Sequence, residues 1–126
     1  ARILGPLANS SVWSGMPKND NSGDAIVLYD EQANRWLFSQ FSLPNGSSTA
    51  PYFQMIAVSQ TSDPTGPWYR YQYEFSSMPD YPKFGIWPDG YYMATNNFGP
   101  SPNGWVGNGA FAFDRDAMLA ALPASG

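Results

Sequence analysis

The chain contains no cysteine and no histidine. Thiol nucleophiles, disulfides, imidazole bases and the usual zinc sites are thereby excluded together. Charge is scarce as well: 13% of the 126 residues are Asp, Glu, Lys or Arg, and the net charge is −4. Contact with a nucleic-acid backbone needs a basic surface, as does attraction to an anionic membrane, so neither partner is expected. No apolar run approaches the roughly 20 residues of a spanning helix, so membrane insertion is not expected either. The only lysines are Lys18 and Lys83, and no Ser-x-x-Lys spacing occurs, which sets aside a lysine-assisted serine nucleophile. A glycine-rich phosphate loop is missing. No signal peptide is visible, and the first residue is Ala1, which fits a processed product or a piece of something longer.

What the chain does have is rings and breakers. Aromatic residues make up 17%, and glycine and proline contribute 12 each. That density interrupts helices and marks many turns, so a single all-β domain over residues 1–126 is expected. Strands are expected at residues 25–29, 35–41 and 52–60, with turns at 30–34 and 43–51. The segment TSDPTGPW is a turn cluster. WYRYQYEF follows as the clearest strand, with Tyr69, Tyr71, Tyr73 and Phe75 on one face and Arg70, Gln72 and Glu74 on the other. An apolar face opposed to a charged one suits an outer strand buried on one side.

A second unit repeats the first. Asp24 precedes an apolar run and Trp36 follows twelve residues later; Asp80 and Tyr92 stand in the same relation 56 residues on. The same offset carries Met55 to Phe111 and Ala57 to Phe113. In this unit strands are expected at residues 83–87, 91–97 and 109–113, without a fourth. A short helix then starts at Asp114 as N-cap, with Met118, Leu119 and Leu122 at helical spacing. Residues 1–23 form a lead-in, 24–75 a full four-stranded unit, and 80–122 a partial unit with the terminal helix. Four-stranded antiparallel sheets repeating every fifty residues or so are the blades of a β-propeller. Seven strands also suffice for a small two-sheet β-sandwich, which remains the alternative. Two blades alone leave edges and apolar faces open, so self-association or completion by the rest of a longer chain is expected.

The segments GDAIVLYDEQANRWLFSQFS, IAVSQTSDPTGPW and DYPKFGIWPDGYYM, spread over roughly residues 20–120, resemble blades of secreted bacterial propeller proteins. These include relatives of the five-bladed glycoside hydrolases of the arabinanase and xylosidase type. The resemblance implies an extracellular or cell-envelope protein directed at carbohydrate. In those hydrolases acids that open successive inner strands converge on a central pocket, and Asp24 and Asp80 match such positions, one like a general base and one like a carboxylate that tunes the proton donor. Asp24 departs from the pattern in being followed by Ala25, where the family often has proline. The donor itself is a Glu on a later blade. Glycoside cleavage needs two flanking carboxyl groups, and neither Glu31, in a turn, nor Glu74, on an outer strand, fits. The expectation is therefore glycan binding without complete catalysis; a purely structural assembly module and a hydrolase fragment are the alternatives.

Candidate ligand contacts are Asp80, Trp87, Tyr91, Asn96, Asn97 and Trp105. Rings offer stacking faces for sugars and the amides bond hydroxyls. Trp105 stands in a Gly/Pro/Asn loop over residues 99–109, the kind of place where binding residues gather. Each also has a plainer use. Asp24 and Asp80 can brace strand-opening turns, the rings, Tyr92 included, can pack between blades, and Asn96 and Asn97 can be turn residues. No cofactor is expected. Calcium held by Asp24 and Asp80 with backbone carbonyls is a minor option, since hard cations take oxygen ligands, but no loop of the EF-hand kind supports it.

Overall fold

The computed structural model describes residues 9–16, 24–46, 49–99 and 104–121. Two antiparallel sheets account for most of them. The first has four strands in sequence order, β1 (Ile26–Asp30), β2 (Arg35–Ser42), β3 (Tyr52–Ser59) and β4 (Trp68–Phe75). The second has three, β5 (Met78–Trp87), β6 (Gly90–Phe98) and β7 (Trp105–Phe113). One short helix, α1 (Arg115–Leu119), follows β7, and a 3-10 helix, Asn9–Trp13, precedes the sheets. The chain is all-β in both halves, as its turn density requires.

Alternation builds the core. Leu37, Ile56 and Val58 of the first sheet meet Tyr91, Met93 and Phe113 of the second, with Met118 of α1 closing one end. Tyr71, Tyr73 and Phe75 pack onto this cluster, so the expected apolar face of β4 is the inward one. Tyr73 meets Phe113 and Phe75 meets Phe111, each with ring centres 4.9 Å apart. Each fully buried large apolar side chain contributes about 1.5–3 kcal/mol from area alone. Burial also pushes the Tyr73 hydroxyl up to about 12.

The other face of the first sheet has its own cover. Trp13, Phe38, Phe53, Met55 and Ala57 form a second cluster, joined by Val12, Met16 and Trp68. The Trp13 indole N–H donates to Gln40 Oε1 at 3.0 Å, and the Arg70 guanidinium donates to the backbone carbonyls of Val12 and Ser14. With both faces packed, all eight residues of β3 are buried. The 3-10 helix was not expected from the sequence.

Strand limits differ from expectation mainly in the second sheet. β5 begins at Met78 rather than at 83, because a bulge between Asp80 and Lys83 absorbs Pro82 and lets the ladder continue. β7 begins at Trp105 rather than at 109, so the second half of the expected loop is strand; residues 100–103 lie outside the described residues. Asp114 caps α1 as expected, accepting from the Ala117 N–H. Leu122 also lies outside the described residues.

The register tests the repeat. Leu28 faces Leu37 and Tyr29 faces Trp36; 56 residues on, Phe84 faces Met93 and Gly85 faces Tyr92. The hairpins are therefore equivalent position by position. The third strands are not, since Gln40 faces Met55 while Asn96 faces Asn108. Asn108, not Phe111, is the counterpart of Met55, and the match of Met55 and Ala57 with Phe111 and Phe113 reflects composition alone. At the junction a Cβ on Gly109 would come within 2.7 Å of Phe111 Cε2 and 2.8 Å of Asn97 Nδ2 and Thr95 Oγ1, so a larger residue there would force its neighbours to shift.

Candidate functional site

The two first strands, β1 and β5, lie against each other, and the residues at the opening of β1 share one cleft with those at the bulge within β5. It holds about 150 Å³ and is lined by Asp24, Ala25 and Ile26 on one side and Tyr81, Pro82 and Lys83 on the other. Residues 81–83 belong to the proline-containing bulge of β5. Asp24 and Tyr81 both hold left-handed backbone, with φ of 49° and 52°. Asp tolerates that conformation; for a bulky tyrosine it costs about 1–3 kcal/mol and persists only where the surroundings impose it. Tyr81 is 58% exposed, and the Lys83 ammonium lies 4.2 Å from its ring centre. The cleft thus presents a carboxylate, an exposed ring and a cation that the ring holds in place.

The sequence singled out Asp24 and Asp80, and they sit differently. Asp24 lines the cleft. Asp80 stands just before the bulge, half-buried, opposite Asn96, which is in turn opposite Asn108. Asp80, Asn96 and Asn108 therefore form a polar row across the second sheet. Asn97 belongs to the other face, where its Oδ1 accepts from the Thr95 hydroxyl at 2.6 Å. Trp105 is not at the centre of a loop; it opens β7 opposite Phe98 and is 62% exposed. Among the described residues, no three acidic side chains gather where they could hold a metal ion.

Two expected contacts lie elsewhere. Trp87 ends β5, seven residues from Asp80 and roughly 20 Å along the strand. It is exposed and shares a shallow hollow with Asp89 and Tyr92, whose hydroxyl donates to Asp89 Oδ2 at 2.9 Å. That bond to a carboxylate raises the Tyr92 hydroxyl above its ordinary range. Tyr91 is no surface contact at all. It is fully buried, and its hydroxyl donates to Asp30 Oδ2 at 2.8 Å.

That bond belongs to a buried cluster the sequence did not suggest. Asp30, the last residue of β1, is 1% exposed and receives Arg115 Nε at 2.8 Å and Nη2 at 3.0 Å, besides Tyr91 and the Ala33 N–H. The third Arg115 nitrogen, Nη1, donates to the Pro88 carbonyl. Burial works to raise the Asp30 carboxyl, but the bonds from Arg115, Ala33 and Tyr91 outweigh it and hold it below the usual carboxylate range. The same contacts, Asp30 first, raise Arg115, while burial followed by the bond to Asp30 raises Tyr91. Every polar atom is spoken for, so the cluster ties β1, β6 and α1 together instead of offering a site. The signal was Arg115 itself, three residues before Met118 on the buried stripe of the helix.

Compared with known proteins, the chain matches no family model, no curated protein and no solved structure.

Proposed function

We propose that this chain is a glycan-binding segment of β-propeller type from an extracellular or cell-envelope protein, with the cleft between the opening of β1 and the bulge of β5 as its binding site. One observation carries the reading: Asp24 and the exposed, backbone-strained Tyr81 line a single cleft where the first strands of two successive sheets lie side by side. Propellers place the first strand of each blade innermost, so the first strands are where their ligands meet protein. Two sequential antiparallel sheets packed face to face, with hairpins in equivalent register, support that arrangement.

The chemistry suits a sugar. A pyranose presents C–H groups to the Tyr81 ring, gives hydroxyl protons to the Asp24 carboxylate and accepts from the Lys83 ammonium. The row Asp80, Asn96 and Asn108 supplies more hydroxyl partners along the same end of the sheet. Hydrolysis is not part of the proposal. Glu31 stands exposed in the β1–β2 turn and Glu74 exposed on β4, neither lining the cleft, and cleavage needs a second carboxyl group across the bond.

A printed glycan array tests this. The wild type should give a defined set of sugar signals that falls about tenfold in Tyr81→Ala and in Asp24→Asn, as loss of a stacking ring or a charged acceptor does. Glu74→Gln, on the outermost strand, should leave it unchanged. Signals that survive both cleft substitutions would remove the cleft from the site.

A further inference from the structure

The second sheet ends on an edge that nothing described covers. β7 pairs with β6 on one side only, whereas its counterpart in the first sheet, β3, is flanked by β2 and β4. The other sheet margins are guarded. β4 carries Arg70 and Glu74, β5 carries Pro79, Asp80, Pro82, Lys83 and a bulge, and β1 is only five residues long and lies against β5. Charge, proline, bulges and shortness are the devices that keep edges from pairing. β7, WVGNGAFAF, has no charge and no proline, and its one irregularity is at the start, near Trp105. From Gly107 to Phe113 it runs in unbroken register with β6, long enough to receive a strand.

We infer that the free edge of β7 is an acceptor for an added antiparallel β-strand, and that its occupant is an amphipathic strand patterned like β4, with aromatic side chains at alternate positions. The chain itself shows what fills this place: in the first sheet β4 pairs with β3 over eight residues and turns Tyr71, Tyr73 and Phe75 to the core. On β7 the core-facing positions are two glycines followed by two rings, Gly107, Gly109, Phe111 and Phe113. Neighbouring side chains already fill the space over Gly109, whereas Gly107 is open, and an aromatic on the incoming strand beside it supplies the missing side-chain contact. Strand addition of this kind draws affinity from backbone bonds and specificity from alternate side chains. The inference does not rest on the glycan cleft, which is at the first strands of the sheets, not the last.

The experiment adds a synthetic peptide of sequence WYRYQYEF to the whole chain and follows amide hydrogen exchange residue by residue. In the free protein the β7 amides that do not bond β6 should exchange fast; with peptide they should slow by about tenfold or more. The same peptide N-methylated at every residue has no backbone N–H to give an edge and should leave β7 unchanged. Three results would overturn the inference: no added protection, equal protection from the N-methylated peptide, or protection on β3 from exchange with the native β4. Protection of β7 that rises with protein concentration in the absence of peptide would assign the edge to a second copy and overturn the proposed occupant.

Discussion

Single side chains divide here into those held for the fold and those exposed around the cleft, and hydrogen-bond satisfaction separates them. Asp30, Arg115 and Tyr91 are saturated and buried; Asp24, Tyr81 and Lys83 are exposed around a cleft. Asp30→Ala leaves a buried guanidinium unpaired and should cost about 3–5 kcal/mol by denaturant unfolding. Replacing the pair together, Asp30→Leu with Arg115→Met, should recover most of that loss; equal losses in single and double variants would mean the pair is not the source. Stability should also depend on pH at both ends. The Asp30 carboxyl is lowered in the folded state, so its contribution is present above the ordinary carboxylate value of about 4 and is lost as pH falls through its lower folded value. Tyr91 is raised, so its contribution is complete below the ordinary tyrosine value of about 10 and fades as pH climbs beyond it. Unfolding monitored across pH should show the alkaline limb weakened in Tyr91→Phe.

Among the elements, the strands with one clear period were legible in the sequence and those shaped by local irregularity were not. WYRYQYEF alternates without a break, and β4 has the expected limits. The bulge in β5 was invisible because Tyr-Pro-Lys reads as the end of a turn; only the paired strand shows that the ladder continues past it. The hairpin repeat was legible through Asp and aromatic spacing, but the third strand is offset by three residues, since register is set by which strand faces bury and by turn geometry and not by composition. Of the site, Asp24 was legible as a strand-opening acid, while Tyr81 passed unnoticed because its exposure comes from the bulge. The cover on the first sheet was missed for a similar reason: five residues of 3-10 helix have no period to read. Trp13 anchors that cover, fully buried and bonded to Gln40, so Trp13→Ala should cost about 3–5 kcal/mol. A thermal midpoint within a degree or two of the wild type would show that the segment contributes little.

For the whole molecule, the two sheets differ in how completely they are finished. The first has four strands and packing on both faces; the second has three strands, an open edge and an outer face where Trp87 and Tyr92 stand exposed beside Gly85, Ala110 and Ala112. The proposed propeller-type arrangement would account for that asymmetry, the second sheet then being the one that meets further structure. The proposed site lies at the cleft between β1 and the β5 bulge, away from the Trp87 end. Amide chemical-shift mapping during titration with soluble xylo- and arabino-oligosaccharides distinguishes the two ends of the sheet in one experiment. Binding at the cleft predicts saturable shifts confined to residues 24–26 and 80–83, with smaller ones at Asn96 and Asn108. Saturable shifts centred on Trp87, Asp89 and Tyr92, or no shifts with any of these sugars, would contradict the proposed site.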